Sequence, residues 1–119
     1  MTSEELEKEM CQCYGTELYH RHPMFPYLYT DGVMVFVEKA EALWFLTDAF
    51  VYITMLKKSD KYNGFLSLTL KVKDEKAVLE ITDGDCNVLK TIKYSYTDCP
   101  EGDWQFFFMD NVLMYCQEY

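Results

Sequence analysis

At Gly64 the spacing of apolar residues changes from helical to alternating, and that change limits what the chain can become. Leu66, Leu68, Leu70 and Val72 alternate with Ser67, Thr69, Lys71 and Lys73, the pattern of a strand with one buried face. Asp74-Glu75-Lys76 reads as a polar turn, after which Leu79 and Ile81 share one face of a second strand, opposite Val78, Glu80 and Thr82. Asp83-Gly84 signals a hairpin, because type I′ turns need positive φ. Further strands are predicted over Val88 to Tyr96, Trp104 to Met109 and, beyond a turn at Asp110-Asn111, Val112 to Gln117.

Upstream the pattern is helical. Thr2-Ser3-Glu4-Glu5 has the form of a capping box opening a helix over Ser3 to Cys13, and its acids suit the helix dipole. Gly15 supplies a stop, and Pro23 and Pro26 hold residues 14–29 as an extended, ordered connector. Thr30 or Asp31 caps a second helix, in which Val33, Met34, Phe36, Val37 and Ala40 recur at helical spacing. It runs on to Lys58 or breaks near Glu41. Helices followed by strands predict a single α+β domain over 1–119, with a helical part over 1–58 and a sheet over 64–119. The expected architecture is N-terminal helices packed on one face of a four- to five-stranded antiparallel β-meander.

Charge narrows the partners. Eleven basic and 20 acidic side chains give a net charge of −9, Arg21 is the single arginine, and the lysines are scattered. Sequence-independent nucleic-acid binding needs clustered cations that displace counterions from phosphates, so nucleic acid and anionic membranes are not expected partners. A protein partner with a basic surface is. The apolar run from Ala42 to Leu56 contains Asp48 and is shorter than the roughly 20 residues a bilayer demands. The acidic N-terminus has neither the charged region nor the apolar stretch of an export signal, and the five cysteines are odd in number. A cytoplasmic protein without obligatory disulfides is expected.

Four side chains, Cys11, Cys13, His20 and His22, could ligate a metal. One residue between two helical cysteines splays them by about 200 degrees, however, which does not suit tetrahedral zinc. No nucleophile elbow, phosphate loop or zinc-protease pattern is present, so no cofactor is expected. Tyr19, Arg21, His22, Tyr29 and Asp31 read as a hydrogen-bonded cluster fastening the connector to the second helix; alternatively Tyr19, His20, Arg21 and His22 read as an anion site. Asp48 would lie with Glu41 and Met55 on the least buried stripe of a helix whose Trp44, Phe45, Phe50, Tyr52 and Ile53 spread apolar surface nearly all round. A second subunit, giving a homodimer, or another partner is expected to cover the remainder. The strand turns collect the acids: Asp83, Asp85 and Asp110 should share one end of the sheet, and Asp74, Glu75, Asp98, Glu101 and Asp103 the other. Each end is a candidate binding face.

Gly15-Thr16-Glu17-x-Tyr19-x-Arg21-His22, Tyr29-Thr30-Asp31-Gly32-Val33 and Ala40-x-Ala42-x-Trp44-x-Leu46 together resemble a family of short uncharacterised proteins, a domain of unknown function found in bacteria, their plasmids and phages. The segment Asp110-Asn111-Val112-Leu113 through Glu118-Tyr119 is similar to that family's closing hairpin. The resemblance implies a setting of mobile elements, where small acidic proteins often block enzymes of host defence, and it implies no reaction. The expected function is therefore a non-enzymatic protein-interaction module, in one version an anti-defence inhibitor that fills a basic nucleic-acid channel by charge mimicry. The alternative is a small enzyme or zinc-binding protein using the 15–31 connector.

Overall fold

A computed structural model describes residues 2–11, 19–60, 62–85, 87–97 and 99–116, with the side chain of residue 11 excepted. Among the described residues three helices, α1 (Ser3–Cys11), α2 (Asp31–Lys39) and α3 (Leu43–Lys57), accompany seven strands. These are β1 (His20–Arg21), β2 (Leu28–Tyr29), β3 (Phe65–Lys73), β4 (Lys76–Thr82), β5 (Val88–Tyr94), β6 (Gly102–Met109) and β7 (Val112–Tyr115). They form one sheet in the order β1-β2-β7-β6-β3-β4-β5. The domain is α+β, but two features of the expected meander are corrected. Seven strands replace four or five, because the proline-held connector pairs with the sheet: β1 with β2, and β2 parallel to β7. β6 also lies beside β3 rather than β5, so residues 95–97 and 99–101 lie across the end of the β3–β4 hairpin. Thr97 N–H bonds Glu75 O at 2.8 Å, and the Trp104 indole N–H bonds Pro100 O at 2.8 Å, fixing that crossing.

The helical half also departs from the sequence reading. Thr2 caps α1, its hydroxyl oxygen accepting from Glu5 N–H at 3.2 Å. Ser3 Oγ donates to Glu101 O and ties the helix to the crossing segment. The second helix breaks where no glycine or proline marks it. Glu41 takes the left-handed conformation (φ 52°) while Ala42 N–H bonds Val37 O at 2.9 Å, which is a Schellman closure built on a residue other than glycine. Glu41 therefore lies in the link and not on the stripe of α3 that was expected to hold it with Asp48 and Met55.

Both two-residue hairpin turns have two successive residues at positive φ, Asp74-Glu75 (53° and 61°) and Asp110-Asn111 (54° and 62°), as type I′ requires. Asp83-Gly84 opens a longer loop instead. Asp83 Oδ1 accepts from the N–H of Asp85 (2.9 Å) and of Asn87 (3.3 Å), and Oδ2 from the Asn87 amide (2.9 Å). The carboxylate stands in for the missing turn bonds, so a two-residue connection is unnecessary.

All three helices lie on one face of the sheet. Leu66, Leu68, Leu70, Leu79, Ile81, Phe106, Phe108 and Leu113 point into it and are fully buried, meeting Phe36, Phe45, Phe50 and Ile53 from α2 and α3. Each such side chain contributes about 1.5–3 kcal/mol by leaving water. The rings interlock: Phe36 and Phe45 both meet Phe106 at 5.1 Å, and Tyr27 meets Phe108 at 5.3 Å edge-on. Among the described residues no helix is long and apolar enough to cross a membrane.

Candidate functional site

The opposite face of the sheet has no helix on it among the described residues, and its two ends differ in chemistry. Because β3 pairs with β6 and β4, outward residues line up in rows. Near the 110–111 turn, Val112, Met109 and Phe65 form one row, continued at the register position of Leu28 in β2 and Arg21 in β1. The next row is Met114, Phe107 and Ser67. Phe65, Phe107, Met109, Val112 and Met114 are only half-buried, and the Phe65 and Phe107 rings stand 5.2 Å apart. Further along, Gln105, Thr69 and Glu80, then Asp103, Lys71 and Val78, make the face polar.

Gly84 (φ 91°) closes the apolar end. A Cβ there would come within 2.9 Å of the Phe65 ring, so this backbone seats the ring as the rim of the patch.

The acids fall at the ends that strand direction dictates. Asp83, Asp85 and Asp110 share the apolar end, the two turns lying about three strand spacings apart, or roughly 14 Å. Hydrogen bonds from Asn87 and Asp85 hold the Asp83 carboxyl below the usual range, so its charge organises the loop, while Asp85 and Asp110 are exposed. At the other end Glu101 accepts from Asp74 N–H at 2.7 Å, and Lys71, Lys73 and Lys76 line the same hollow as Glu101 and Asp103. Those carboxylates are interleaved with cations. Asp98 lies outside the described residues.

The connector is a clasp whose members only partly coincide with the expected five. His20 Nε2 donates to Asp31 Oδ1 at 2.8 Å, and its ring stacks on Tyr29 at 5.5 Å, joining β1 to the start of α2. His22 is buried: its Nδ1 accepts from Met24 N–H at 3.0 Å, which leaves Nε2–H to donate to Thr47 of α3 at 3.3 Å. Tyr19 and Arg21 are exposed and do not join these bonds. Both His22 nitrogens are thus engaged within the protein, and no group of three or more His, Cys, Asp or Glu side chains able to hold a metal occurs among the described residues. Cys13 and the Cys11 side chain lie outside those residues.

Asp48 proves to be neither on an idle stripe nor buried alone. Its Oδ2 accepts from the Tyr94 hydroxyl of β5 at 2.8 Å, beside Trp44. The sequence carries no signal for this pairing, because 46 residues separate the two side chains.

No curated protein and no solved structure matches the chain. A family model does match, over nearly its whole length, and the chain belongs to the family of unknown function DUF6876, aligned over residues 4–119.

Proposed function

We propose that this domain is a protein-interaction module, and that its binding surface is the helix-free sheet face at the end bearing Asp83, Asp85 and Asp110. The observation that carries the reading is the combination on one face of a half-buried Phe65, Phe107, Met109, Val112 and Met114 cluster with carboxylates at its margin. Interfaces pair an apolar centre rich in aromatics and methionine with a polar rim, and this surface has both parts. The acids select the partner. A net charge of −9 makes a second copy of the same face self-repelling, whereas a partner with basic residues around an apolar anchor is steered and matched.

In its narrower form the partner is a nucleic-acid-processing enzyme of host defence, blocked at a basic channel. That form rests on Asp83, Asp85 and Asp110 more than on Glu101 and Asp103, which stand among lysines. A photo-reactive phenylalanine analogue at position 107 tests the surface in extract of the native host. One discrete adduct is expected, absent when the analogue sits at position 8 of α1 on the helix-bearing side and lost in the Asp85→Lys/Asp110→Lys double variant and at high salt. Adducts indifferent to position and charge would overturn the proposal. A concentration-dependent dimer abolished by Phe107→Glu would replace the partner by a second copy. The identity of the adduct tests the defence-enzyme form.

A further inference from the structure

On the helix-bearing side, a cleft of about 370 Å³ opens between α3 and the end of β5, lined by Trp44, Asp48, Tyr94, Tyr96 and Thr97. Three of its five walls are aromatic. Trp44 and Tyr94 meet at 4.8 Å with their planes 60° apart, forming a corner, and Tyr96, 69% exposed, stands at the mouth. The floor is a carboxylate. Asp48 takes one hydrogen bond, from Tyr94, and no Lys, Arg or His among the described residues lies within ion-pair distance of it.

This set of groups excludes most ligand classes. An anion would face the Asp48 carboxylate among three electron-rich rings. A divalent metal ion would find one carboxylate where calcium takes six to eight oxygens and magnesium a near-ideal octahedron. A neutral apolar molecule would strip water from Asp48 and return nothing for it. A weakly hydrated organic cation meets every wall favourably, with its charge toward Asp48 and its methyl or methylene groups against the rings. The neighbouring turn of α3 already displays the interaction, since Lys90 Nζ lies 5.7 Å from the centroid of Tyr52, four residues beyond Asp48. The volume falls within the range of small-ligand pockets.

The geometry points to the Trp44–Asp48–Tyr94–Tyr96 cleft as a binding site for an alkylated ammonium group. A free small molecule of the choline type and a methylated lysine side chain both carry such a group and share the same chemistry. This site lies across the sheet from the proposed protein-binding surface and stands or falls separately from it.

Titration of isotope-labelled protein, read at the Trp44 indole N–H, tests the proposal with three probes: choline, its uncharged isostere 3,3-dimethylbutanol, and an acetylated, amidated trimethyllysine. The cations are expected to shift the Trp44 signal in a saturable way, and the neutral isostere to bind at least about tenfold more weakly. Asp48→Asn keeps an acceptor for Tyr94, so the fold should persist while cation affinity falls by a similar factor. Tyr96→Ala, at an exposed position, should weaken binding without lowering the melting temperature. Preference for choline identifies a free ligand, and preference for the trimethyllysine identifies a partner's side chain. Equal binding of the neutral isostere, unchanged binding by Asp48→Asn, or no shift at Trp44 with either cation would overturn the assignment.

Discussion

Replacing His22 with alanine is expected to destabilise the domain by about 3–4 kcal/mol, and the figure follows from what the imidazole touches. The side chain is 4% exposed, and its two nitrogens join the connector backbone at Met24 to α3 at Thr47. Each such neutral hydrogen bond contributes about 1 kcal/mol, the 3.3 Å bond to Thr47 somewhat less. The ring also meets Phe25 at 5.1 Å and Phe50 at 5.7 Å, both edge-on. Pairs of this geometry contribute about 0.5–1.5 kcal/mol each. At about 4 °C per kcal/mol the melting temperature should fall by about 12–16 °C.

A second variant separates packing from polarity. His22→Phe keeps a ring between Phe25 and Phe50 but loses both hydrogen bonds, and should cost about 2 kcal/mol. Acid adds a further test. Burial holds the His22 imidazole below its ordinary value of 6.5, so the unfolded chain takes up a proton that the folded chain resists. Its contribution is complete above 6.5 and is lost as the pH falls from there toward the folded value. Urea unfolding at a series of pH values should therefore give a shallower acid decline for His22→Phe than for the parent chain. An alanine variant within about 1 kcal/mol of the parent, below the sum the contacts require, would refute the reasoning. So would an unchanged acid slope in His22→Phe.

Glu41 and Glu75 both occupy left-handed backbone, which costs a side-chain-bearing residue about 1 kcal/mol, so Glu41→Gly and Glu75→Gly should each raise urea-unfolding stability by about that amount. A loss would show that these side chains contribute more than the backbone strain removes. Gly84→Ala should cost about 1–2 kcal/mol through its φ of 91° and its approach to Phe65, and the penalty measured in a Phe65→Ala background should be smaller. Equal penalties in the two backgrounds would deny the contact. Burial first, and then its bond to Asp48, raise the Tyr94 phenol above the tyrosine range. Its contribution is complete below 10 and is lost as the pH rises through the folded value, so Tyr94→Phe should flatten alkaline unfolding while costing about 1 kcal/mol at neutral pH.

What the sequence displayed was decided by whether a residue's environment is local. β3 alternates strictly, and β4 does so but for the outward Val78, because one face is buried along their full length, and their positions are legible from that alone. β1 and β2 are two residues each and exist through their neighbours, so no periodicity announces them. The break at Glu41 is hidden for a different reason: its closure is made by backbone bonds, and the residue at the left-handed position is not the glycine that would have signalled it. The run Phe106-Phe107-Phe108-Met109 shows why the proposed surface was not legible. Four apolar residues in succession look like a strand buried on both faces, and only the placement of all three helices on one side shows that Phe107 and Met109 face outward. The clasp was half legible. The connector's polar residues stood out, but which histidine reaches Asp31 and which enters the core is set by what each packs against, His20 on Tyr29 and His22 between Phe25 and Phe50, because two residues apart they share one strand face.

The parallel pairing of β2 with β7 also dictates an order of assembly. Leu28 N–H bonds Asn111 O, and Thr30 N–H bonds Leu113 O, so the start of α2 is held by a strand synthesised much later. The 19–29 segment therefore has no template until the β6–β7 hairpin exists, and closing so long a loop places its docking after the local hairpins have formed. The same two bonds should be the first to open. Amide exchange at Leu28 and Thr30 is expected to outpace that in β3 and to accelerate at both positions together, marking the seam along which the helical half separates from the sheet.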